Sequence, residues 1–364
     1  MRIVNLIDSL ASINAGVWSA AISTATHLNE KYGVESLAWF PETKDKLHNS
    51  FPSVSSTPIF SFSKKALINS ITQSKLSPKD TIIISHGCWQ FPTRWSSQLH
   101  NLGFKWIATP QGMLEPWSMQ QKRFKKWLYF SLLERRLLAK ADVIRAVGTP
   151  EFNNLQKMFS AKVALIPNGI PSLDQPFSEK PASPRHFLFM ARLHHKKGLL
   201  PMVRAWLNSS LANNSLYQLT IAGPDDGELT ALKGLLTSSG VTNIHYVGAV
   251  YGAEKEVLLQ RSHFYLLPSF SEGFPTSLLE AMQYGLIPLM TSGCNFPEAL
   301  EAELAIAITP ETATILKGLN QAAELSSGDL NNWGQKAAAF VNQHYNLNHI
   351  AELQYKLFKS LLGK

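Results

Sequence analysis

The segment Ser269–Met282 constrains the fold more than any other part of the chain. It follows a short apolar run, Phe264–Pro268, whose length and composition predict a buried parallel strand. Pro275 suits the first position of a helix, where a missing N–H costs nothing, and Gly285 suits the position just past the helix end. The segment therefore predicts a strand, a tight loop and a helix. In an open parallel α/β sheet, such a loop lies at the edge where ligands and anions bind.

Two acidic residues belong to this predicted loop and helix. Glu272 lies in the loop, and Glu280 lies about two turns into the helix. Their spacing, with Gly273, Phe274 and Pro275 after the first acid, resembles the E-x7-E signature of the family 4 glycosyltransferases. Those are retaining enzymes of the GT-B fold that use nucleotide-sugar donors. An ordinary βα unit with two solvated carboxylates is the alternative interpretation, because polar residues share the helical face of Glu280.

Length and composition are compatible with a protein of this kind. The chain has 364 residues, enough for two domains, with 45% hydrophobic and 16% charged residues, as in globular proteins. Its two cysteines, Cys88 and Cys294, are too few for a disulfide framework or a zinc site, which favours a reducing compartment. No apolar run approaches the roughly twenty residues that span a bilayer, and the first residues lack a signal-peptide pattern. We expect a cytoplasmic protein.

The positive charge is concentrated in the first half of the chain. Residues 1–170 hold 20 Lys and Arg against 10 Asp and Glu, whereas residues 171–364 hold 14 against 16. Within the first half, residues 121–138 have a helical pattern that combines basic residues, Lys122 among them, with a stripe of Phe124, Trp127, Leu128 and Leu132. Such a helix suits an anionic membrane surface, at about 1 kcal/mol per well-placed cation. A helix that packs its stripe on the core and solvates its basic back is the alternative.

Two loops of the first half carry candidate ligand-binding residues. Gly16 stands at the start of a predicted helix over Trp18–Tyr32, where its backbone can approach a phosphate, although a simple turn is the alternative. His86 and Trp89 follow the predicted strand Thr81–Ser85. A histidine at the carboxyl end of a strand can contact an acceptor sugar or transfer a proton, or it can cap the strand through a backbone hydrogen bond. We keep His86 and Trp89 as candidate acceptor-binding residues.

Three further segments resemble motifs of the same family, in the order expected. Pro110–Trp117 is similar to the P-[HR]-G-M-L-x-P-W segment. Gln111 stands where relatives carry His or Arg, and its neutral amide can form hydrogen bonds but brings no charge. Pro167–Ile170 resembles the P-N-G-[IV] that ends the first domain. Ala191–Gly198 resembles G-R-L-x-x-x-K-G, and the resemblance assigns Arg192 and Lys197 to the donor diphosphate.

The resemblance spans nearly the whole chain and implies an α/β protein of GT-B architecture, with two Rossmann-like domains that face a central cleft. We expect an acceptor-side domain over residues 1–170, a Pro- and Ser-rich linker over 171–185 and a nucleotide-sugar-binding domain over 186–346. A last helix over 347–364 is expected to pack back on the first domain.

The resemblance also implies the roles of the candidate residues. Glu272 would bind donor-sugar hydroxyls, with Arg192 and Lys197 as its catalytic partners on the diphosphate. The residues implied for donor binding are Gly16, Gln111, Gly273, Phe274, Pro275, Thr276 and Glu280. Glu280 would bind the ribose, and residues 247–251 would lie against the base.

The function implied is that of a retaining glycosyltransferase of bacterial-type surface polysaccharide synthesis, lipopolysaccharide included. A UDP- or GDP-sugar would be the donor, and a saccharide or lipid-linked oligosaccharide the acceptor. No cofactor is expected, and no metal, because the chain lacks the Asp-x-Asp that GT-A enzymes need. The transferase would be cytoplasmic or bound peripherally to the inner face of the cell membrane. The alternatives are a GT-B-fold nucleotide-sugar epimerase and a non-catalytic, peripheral membrane-binding relative. A nucleic-acid partner is not expected, since no module for one is recognisable.

Overall fold

A computed structural model describes residues 1–8, 15–41, 54–59, 64–121, 123–173 and 179–363. The chain falls into two compact units. Unit 1 comprises Met1–Pro171 together with Tyr345–Lys364, and unit 2 comprises Ser172–His344. Residues 174–178 of the expected linker, the loop before Gly16 and Lys122 lie outside the described residues.

Unit 1 contains a seven-stranded parallel sheet in the order β3-β2-β1-β4-β5-β6-β7. Its strands are β1 Arg2–Leu6, β2 Glu35–Pro41, β3 Val54–Ile59, β4 Thr81–His86, β5 Lys105–Thr109, β6 Val143–Ala146 and β7 Lys162–Leu165. Its helices up to this point of the chain are α1 Ala15–Ile22, α2 Ala25–Tyr32, α3 Lys64–Gln73, α4 Phe91–His100, α5 Pro116–Gln120, α6 Arg123–Tyr129, α7 Arg135–Leu138 and α8 Thr149–Met158. A π-helical turn, Phe130–Glu134, joins α6 to α7.

Unit 2 contains a six-stranded parallel sheet in the order β10-β9-β8-β11-β12-β13. Its strands are β8 Arg185–Met190, β9 Tyr217–Ala222, β10 Ile244–Tyr246, β11 Phe264–Leu267, β12 Ile287–Met290 and β13 Ile306–Ala307. Its helices are α9 Leu199–Leu207, α10 Leu229–Ser239, α11 Gly252–Arg261, α12 Thr276–Gln283, α13 Pro297–Glu301, α14 Thr312–Glu324 and α15 Ser327–His344. Two parallel sheets with helical crossovers confirm the predicted α/β class with two Rossmann-like units.

The strand order fixes where each unit can bind a ligand. In unit 2 the chain starts at β8, builds outwards through β9 and β10, and then returns to the other side of β8 with β11. In unit 1 the same reversal occurs between β1 and β4. Ligands of open α/β sheets bind outside the carboxyl ends of strands at such a switch point. The loops that follow β1, β4, β8 and β11 are therefore the candidate ligand-binding loops.

Apolar strands make this order stable. Strand β4 is buried at every residue, as a central parallel strand covered on both faces should be. In unit 2, Phe187 of β8 stacks on Phe264 of β11 at 4.5 Å between ring centroids and meets the edge of Trp206 of α9 at 5.2 Å. All three rings are fully buried. This packing holds the two strands of the switch point against α9.

The predicted single helix over Trp18–Tyr32 is wrong, since α1 ends at Ile22 and α2 begins at Ala25. The two residues between them use their hydroxyls elsewhere. Ser23 donates to the carbonyl of Ala20 at 3.3 Å, and Thr24 donates to Oε1 of Gln354 at 2.7 Å. Hydroxyl side chains that bond locally or to a distant partner compete with a continuous helix.

The last helix, α16 Leu347–Leu362, belongs to unit 1. Its residue Tyr355 stacks on Tyr32 of α2 at 4.0 Å between ring centroids. Ile350 and Phe358 are buried in a core that includes residues of β1, β4 and β5. The C-terminal segment is thus part of the hydrophobic core of the unit that begins with residue 1.

This packing makes the stability of unit 1 dependent on its C-terminal helix. Phe358→Ala is expected to lower the free energy of unfolding by about 3–5 kcal/mol, because it removes a buried aromatic ring and leaves a cavity. Urea denaturation followed by circular dichroism measures the loss. The control is Lys356→Ala on the exposed face of the same helix, for which no measurable change is expected. Equal unfolding midpoints for the two variants would contradict this account of α16.

Candidate functional site

The loop between β11 and α12 holds Glu272 in a fixed position. The backbone N–H of Glu272 donates to the carbonyl of Gly293 at 2.7 Å, and its own carbonyl accepts from Nδ2 of Asn295 at 2.7 Å. The hydroxyl of Ser269 donates to Oε1 of Glu272 at 2.5 Å. Glu272 is only 8% exposed. Backbone and carboxylate are thus both anchored before any ligand binds.

Lys197 lies against this carboxylate. Its Nζ is 2.7 Å from both carboxylate oxygens of Glu272. Lys197 ends a short 3₁₀ turn in the loop after β8, and the neighbouring carbonyl of Lys196 accepts the N–H of Phe270 at 2.8 Å. The loops after β8 and β11 are therefore joined by a backbone hydrogen bond as well as by the ion pair.

Close approach of these loops requires glycine at two positions. Gly198 has φ +69°, and a Cβ there would run into the carbonyl of Pro268. Gly223, after β9, has φ +147°, and a Cβ there would run into the carbonyl of Ala191. A side chain at either position would push apart the loops that follow β8, β9 and β11.

The other two predicted charged residues each have a partner of opposite sign. Arg192, in the loop after β8, forms an ion pair with Asp226, in the loop after β9, and its side chain stays 41% exposed. Glu280 of α12 accepts from Lys255 of α11 at 2.7 Å. Asp226 and Lys255 were not identified from the sequence. Asp226 had a signal, because it closely follows Gly223-Pro224 at a strand end, whereas Lys255 had none.

A small cavity adjoins Arg192. Its volume is about 120 Å³. The residues that line it come from the ends of β8 and β9 and from residues 249–251, namely Met190, Ala191, Arg192, Gly223, Pro224, Ala249, Val250 and Tyr251. It overlaps the segment 247–251 that the resemblance places against a base.

The remaining donor-side candidates of unit 2 form the turn into α12. The helix begins at Thr276, so Pro275 precedes its first residue instead of occupying it. The N–H of Thr276 donates to the carbonyl of Phe274 at 3.0 Å, within the turn. The ring of Phe274 meets the edge of Phe296 at 6.1 Å between centroids. Gly273 is half-buried beside Glu272.

Unit 1 brings two of its candidates into contact. His86 is the last residue of β4 and is 1% exposed. Its Nδ1 lies 3.2 Å from Nε2 of Gln111, and its Nε2 lies 3.0 Å from Oδ1 of Asn5. Burial and the nearby Arg145 lower the pKa of His86 to about 3. The ring is therefore neutral at physiological pH.

The Gln111 loop is held by a buried carboxylate that was not identified from the sequence. Oε1 of Glu151 accepts the N–H of Gly112 at 2.6 Å, and Oε2 accepts the N–H of Val147 at 2.8 Å. Burial raises the pKa of Glu151 to about 7. Gln111 has φ +54°, in the left-handed region that a non-glycine residue seldom adopts. Such a conformation persists where the surrounding contacts determine it.

Trp89 and Gly16 have different surroundings. Trp89 has φ +76°, and its N–H donates to Oε1 of the buried Glu134 at 3.0 Å. Burial raises the pKa of Glu134. The Trp89 ring lies 6.1 Å from that of Tyr129 and 5.7 Å from Nζ of Lys126, both on α6. Gly16 is exposed, as the second residue of α1.

The structure thus joins Glu272 with Lys197, and His86 with Gln111. Arg192 and Glu280 lie at the same sheet edge as the first pair but contact counter-ions of their own. Within the ranges that the structure describes, no cluster of three His, Cys, Asp or Glu residues could hold a metal ion.

The contact between the loops of unit 2 can be tested with a matched pair of glycines. Gly240, past α10, is also left-handed (φ +65°) but has open space where a Cβ would stand. We expect Gly240→Ala to lower the free energy of unfolding by about 1 kcal/mol, from the backbone alone. Gly198→Ala should cost distinctly more, because the Pro268 carbonyl must also move. Urea denaturation compares the two, and equal losses would contradict the close approach.

Most of unit 2 is similar in sequence to a known protein family. Residues 173–340 match the family model described as glycosyl transferases group 1. A D-rhamnosyltransferase, WbpZ of Pseudomonas aeruginosa, is 32% identical over 182 residues, which cover 45% of this chain and 44% of that protein. The chain thus spans about half the length of the curated relatives it matches.

Solved structures are similar in fold to this chain over nearly its whole length. Sucrose-phosphate synthase of Thermosynechococcus elongatus matches with a TM-score of 0.75 at 16% identity, over 100% of this chain and 99% of that one. Anabaena HepE, in complex with UDP and glucose, matches with a TM-score of 0.74 at 14% identity, over 99% of this chain and 100% of that one. Residues 173–340 are therefore similar in sequence to the glycosyl transferases group 1 family, and the chain as a whole has the GT-B fold.

Proposed function

We propose that the chain is a retaining glycosyltransferase that moves a sugar from a nucleotide-diphosphate donor to a hydroxyl of a saccharide or lipid-linked oligosaccharide. One observation carries the proposal. The ion pair of Lys197 and Glu272 stands at the carboxyl ends of β8 and β11, at the switch point of a sheet whose sequence matches a glycosyltransferase family. A cation for phosphate and a carboxylate for hydroxyls are thus side by side.

The charges of unit 2 suit a sugar nucleotide. Lys197 and Arg192 supply an ammonium and a guanidinium group, which can stabilise the charge of a departing diphosphate. Glu272 can accept hydrogen bonds from sugar hydroxyls, and Glu280 from those of a ribose. The cavity beside Arg192 is our candidate for the nucleoside. The likeness in fold to a protein solved with UDP and glucose supports UDP as the first nucleotide to try.

Donor binding then exchanges partners for both cations. In the structure, the positive charge of Lys197 is balanced by Glu272 and that of Arg192 by Asp226. A diphosphate brings new negative charge, so each cation can contact phosphate oxygens while its carboxylate contacts hydroxyls. The carboxylates keep both cations in place until the donor arrives. We propose that the two cations stabilise the leaving group without a metal ion.

The chemical step needs no protein base in this scheme. The bond between the anomeric carbon and the phosphate oxygen breaks, and the acceptor oxygen forms its bond on the same face of the sugar. The leaving phosphate takes the proton of the acceptor hydroxyl. A neutral side chain at position 111 is compatible with such a reaction, since no proton has to pass through it.

The function is tested first by finding the donor. We expect one of UDP-, GDP- or ADP-sugars to raise the melting temperature of the chain, because a ligand that binds only the folded state stabilises it. Transfer is then followed with a radiolabelled sugar, with EDTA and without it. Equal rates are expected, and abolition by EDTA would contradict metal independence. Isomerisation of the donor without transfer would contradict the proposed function and favour an epimerase.

The site assignment is tested by substitution. Glu272→Gln and Lys197→Ala are each expected to lower kcat/KM by 10²-fold or more, as loss of a charge-stabilising group at a reaction centre does. Matched controls are Glu254→Gln and Lys233→Ala, both exposed on unit 2 helices. The controls should retain wild-type rates. Wild-type turnover in Glu272→Gln or Lys197→Ala would contradict the assignment.

We further infer that unit 1 binds the inner face of an anionic membrane. The stripe predicted on residues 121–138 is exposed, with Phe124 77%, Trp127 58% and Leu132 58% accessible. It does not face the core. Exposed cations lie along the same segment and just after it, namely Arg123, Lys125, Arg135, Arg136 and Lys140. Apolar side chains flanked by cations suit the boundary between anionic headgroups and acyl chains.

An acceptor held in the membrane would fit this placement. Among the described residues, no helix is both long and apolar enough to cross a bilayer. The candidate acceptor residue Trp89 contacts the same helix α6 through Tyr129 and Lys126. A lipid-linked acceptor would then be presented beside the helix that attaches the protein.

Vesicle binding tests the membrane proposal. The chain should co-sediment with vesicles that contain phosphatidylglycerol and much less with phosphatidylcholine alone, and added salt should release it. Phe124→Ser with Trp127→Ser should weaken binding at least tenfold. The control removes two similarly exposed apolar side chains of unit 2, Leu216→Ser with Val257→Ser, and should bind as the wild type does. Equal binding by both double variants would contradict the role of α6.

A further inference from the structure

A line of three side chains crosses the switch point of unit 1. Asn5 lies on β1, His86 ends β4 and Gln111 follows β5, so they come from three neighbouring strands of the sheet. Asn5 and His86 are each 1% exposed, whereas Gln111 is half-buried. The line therefore runs from the interior of the sheet to the loop that resembles a family motif.

The hydrogen bonds of Asn5 decide which nitrogen of His86 carries the proton. Nδ2 of Asn5 donates to the carbonyl of Leu37 at 3.3 Å, which turns its Oδ1 towards His86. A carbonyl oxygen can only accept. Nε2 of His86, 3.0 Å from that oxygen, must therefore be the protonated nitrogen.

The state of His86 in turn decides the orientation of Gln111. A neutral imidazole protonated on Nε2 has a bare Nδ1, which only accepts. The amide group that faces Nδ1 is Nε2 of Gln111, at 3.2 Å, which can donate. The carbonyl oxygen Oε1 of Gln111 is the end of the amide directed away from that bond. Each member thus fixes the polarity of the next.

The charges around His86 keep this arrangement. A protonated ring would carry an N–H on both nitrogens and would force Gln111 to turn its oxygen inwards. Burial of the ring, and then the positive charge of Arg145 on β6, lower the pKa of His86 and so disfavour the protonated ring. Arg145 is itself held by the carbonyls of Ile166 and Pro167, at 2.8 Å each, and so stays in place.

We propose that Asn5 and His86 are positioning residues that orient the amide of Gln111, so that its carbonyl oxygen accepts a hydrogen bond from a hydroxyl of a bound sugar. Relatives with His or Arg at this position would present a donor or a charge instead. This relay of Asn5, His86 and Gln111 presents a hydrogen-bond acceptor, the carbonyl oxygen of Gln111, which favours a substrate with a hydroxyl group at the contact. The identity of the ligand as a sugar rests on the proposed function, whereas the relay itself does not.

The relay can be measured without any substrate. Nitrogen-15 NMR of histidine-labelled protein distinguishes the two neutral imidazole tautomers from the charged ring, and His86→Asn assigns the resonance by its loss. We expect His86 to be neutral and protonated on Nε2 from pH 5.5 to 8. A proton on Nδ1, or a ring that titrates in this range, would overturn the relay.

Kinetics test the contact of Gln111 with a hydroxyl. Gln111→Met keeps the size but removes the acceptor, and kcat/KM should fall about tenfold, the value of one hydrogen bond of roughly 1.4 kcal/mol. The control is Gln156→Met, an exposed glutamine of α8, which should not change the rate. An unchanged rate in Gln111→Met would overturn the contact.

Reversal and rescue separate positioning from a purely structural effect. Asn5→Asp puts a carboxylate beside Nε2, which should raise the pKa of His86, protonate Nδ1 and turn the Gln111 amide around. We expect a similar tenfold loss. Adding Gln111→Glu supplies an oxygen for the new N–H and leaves a second oxygen outward, so the double variant should recover most of the rate. A double variant no better than Asn5→Asp would contradict the relay.

Failure of the two proposals can be told apart. A wild-type chain with the expected tautomer but no turnover of any nucleotide sugar would contradict the proposed function and support the relay. A chain that transfers sugar but carries the proton on Nδ1 would do the reverse.

Discussion

The contact between Lys197 and Glu272 joins the loops that follow β8 and β11, on the donor side of the proposed enzyme. The two side chains are largely buried, with 16% and 11% of their surfaces exposed, and their charged atoms lie 2.7 Å apart. In so poorly solvated a place each charge is stabilised by the other until a ligand supplies a new partner. The loops after β8 and β11 must therefore stay together, and the glycine at position 198 and the backbone bond from Phe270 to Lys196 allow them to do so.

Lys197 and Glu272 are already in contact in the structure, which lowers the ordering that binding requires. The groups that would meet a diphosphate and a sugar are already in position, so little ordering is needed when a donor binds. What changes is the partner of each charge. Arg192 is less constrained than Lys197, because its side chain and that of Asp226 are more exposed. We expect the side chain of Lys197 to keep its position when a donor binds, and that of Arg192 to move towards the donor.

Much of this arrangement is predictable from the sequence because it is local. The strand β11, the loop with Glu272 and the helix α12 follow from an apolar run, a proline and a glycine within about twenty residues. Boundaries were less certain, as shown by Pro275, which precedes the helix instead of beginning it. The seven-stranded sheet also includes β3, a strand that was not identified from the sequence.

The partners that complete the site were not predictable, because they are distant in the sequence. Lys255 meets Glu280 across 25 residues, and Glu151 meets Gly112 across 39. No spacing rule connects such pairs, since only the strand order brings their helices and loops together. The break between α1 and α2 has the same origin, because Thr24 bonds Gln354 at the other end of the chain. Sequence patterns thus predict the helices and strands, whereas the topology of the sheets decides which side chains come into contact.

The measurement that tests the central claim most directly is the dependence of binding on phosphate. Isothermal titration with uridine, UMP and UDP, and with the guanosine series in parallel, compares ligands that share a nucleoside and differ only in the number of phosphate groups. The account predicts that affinity rises steeply with each phosphate for one of the two bases, and that the rise disappears when Arg192 and Lys197 are both replaced by Ala. Equal affinities for nucleoside and nucleoside diphosphate, or a rise that survives the loss of both cations, would contradict it.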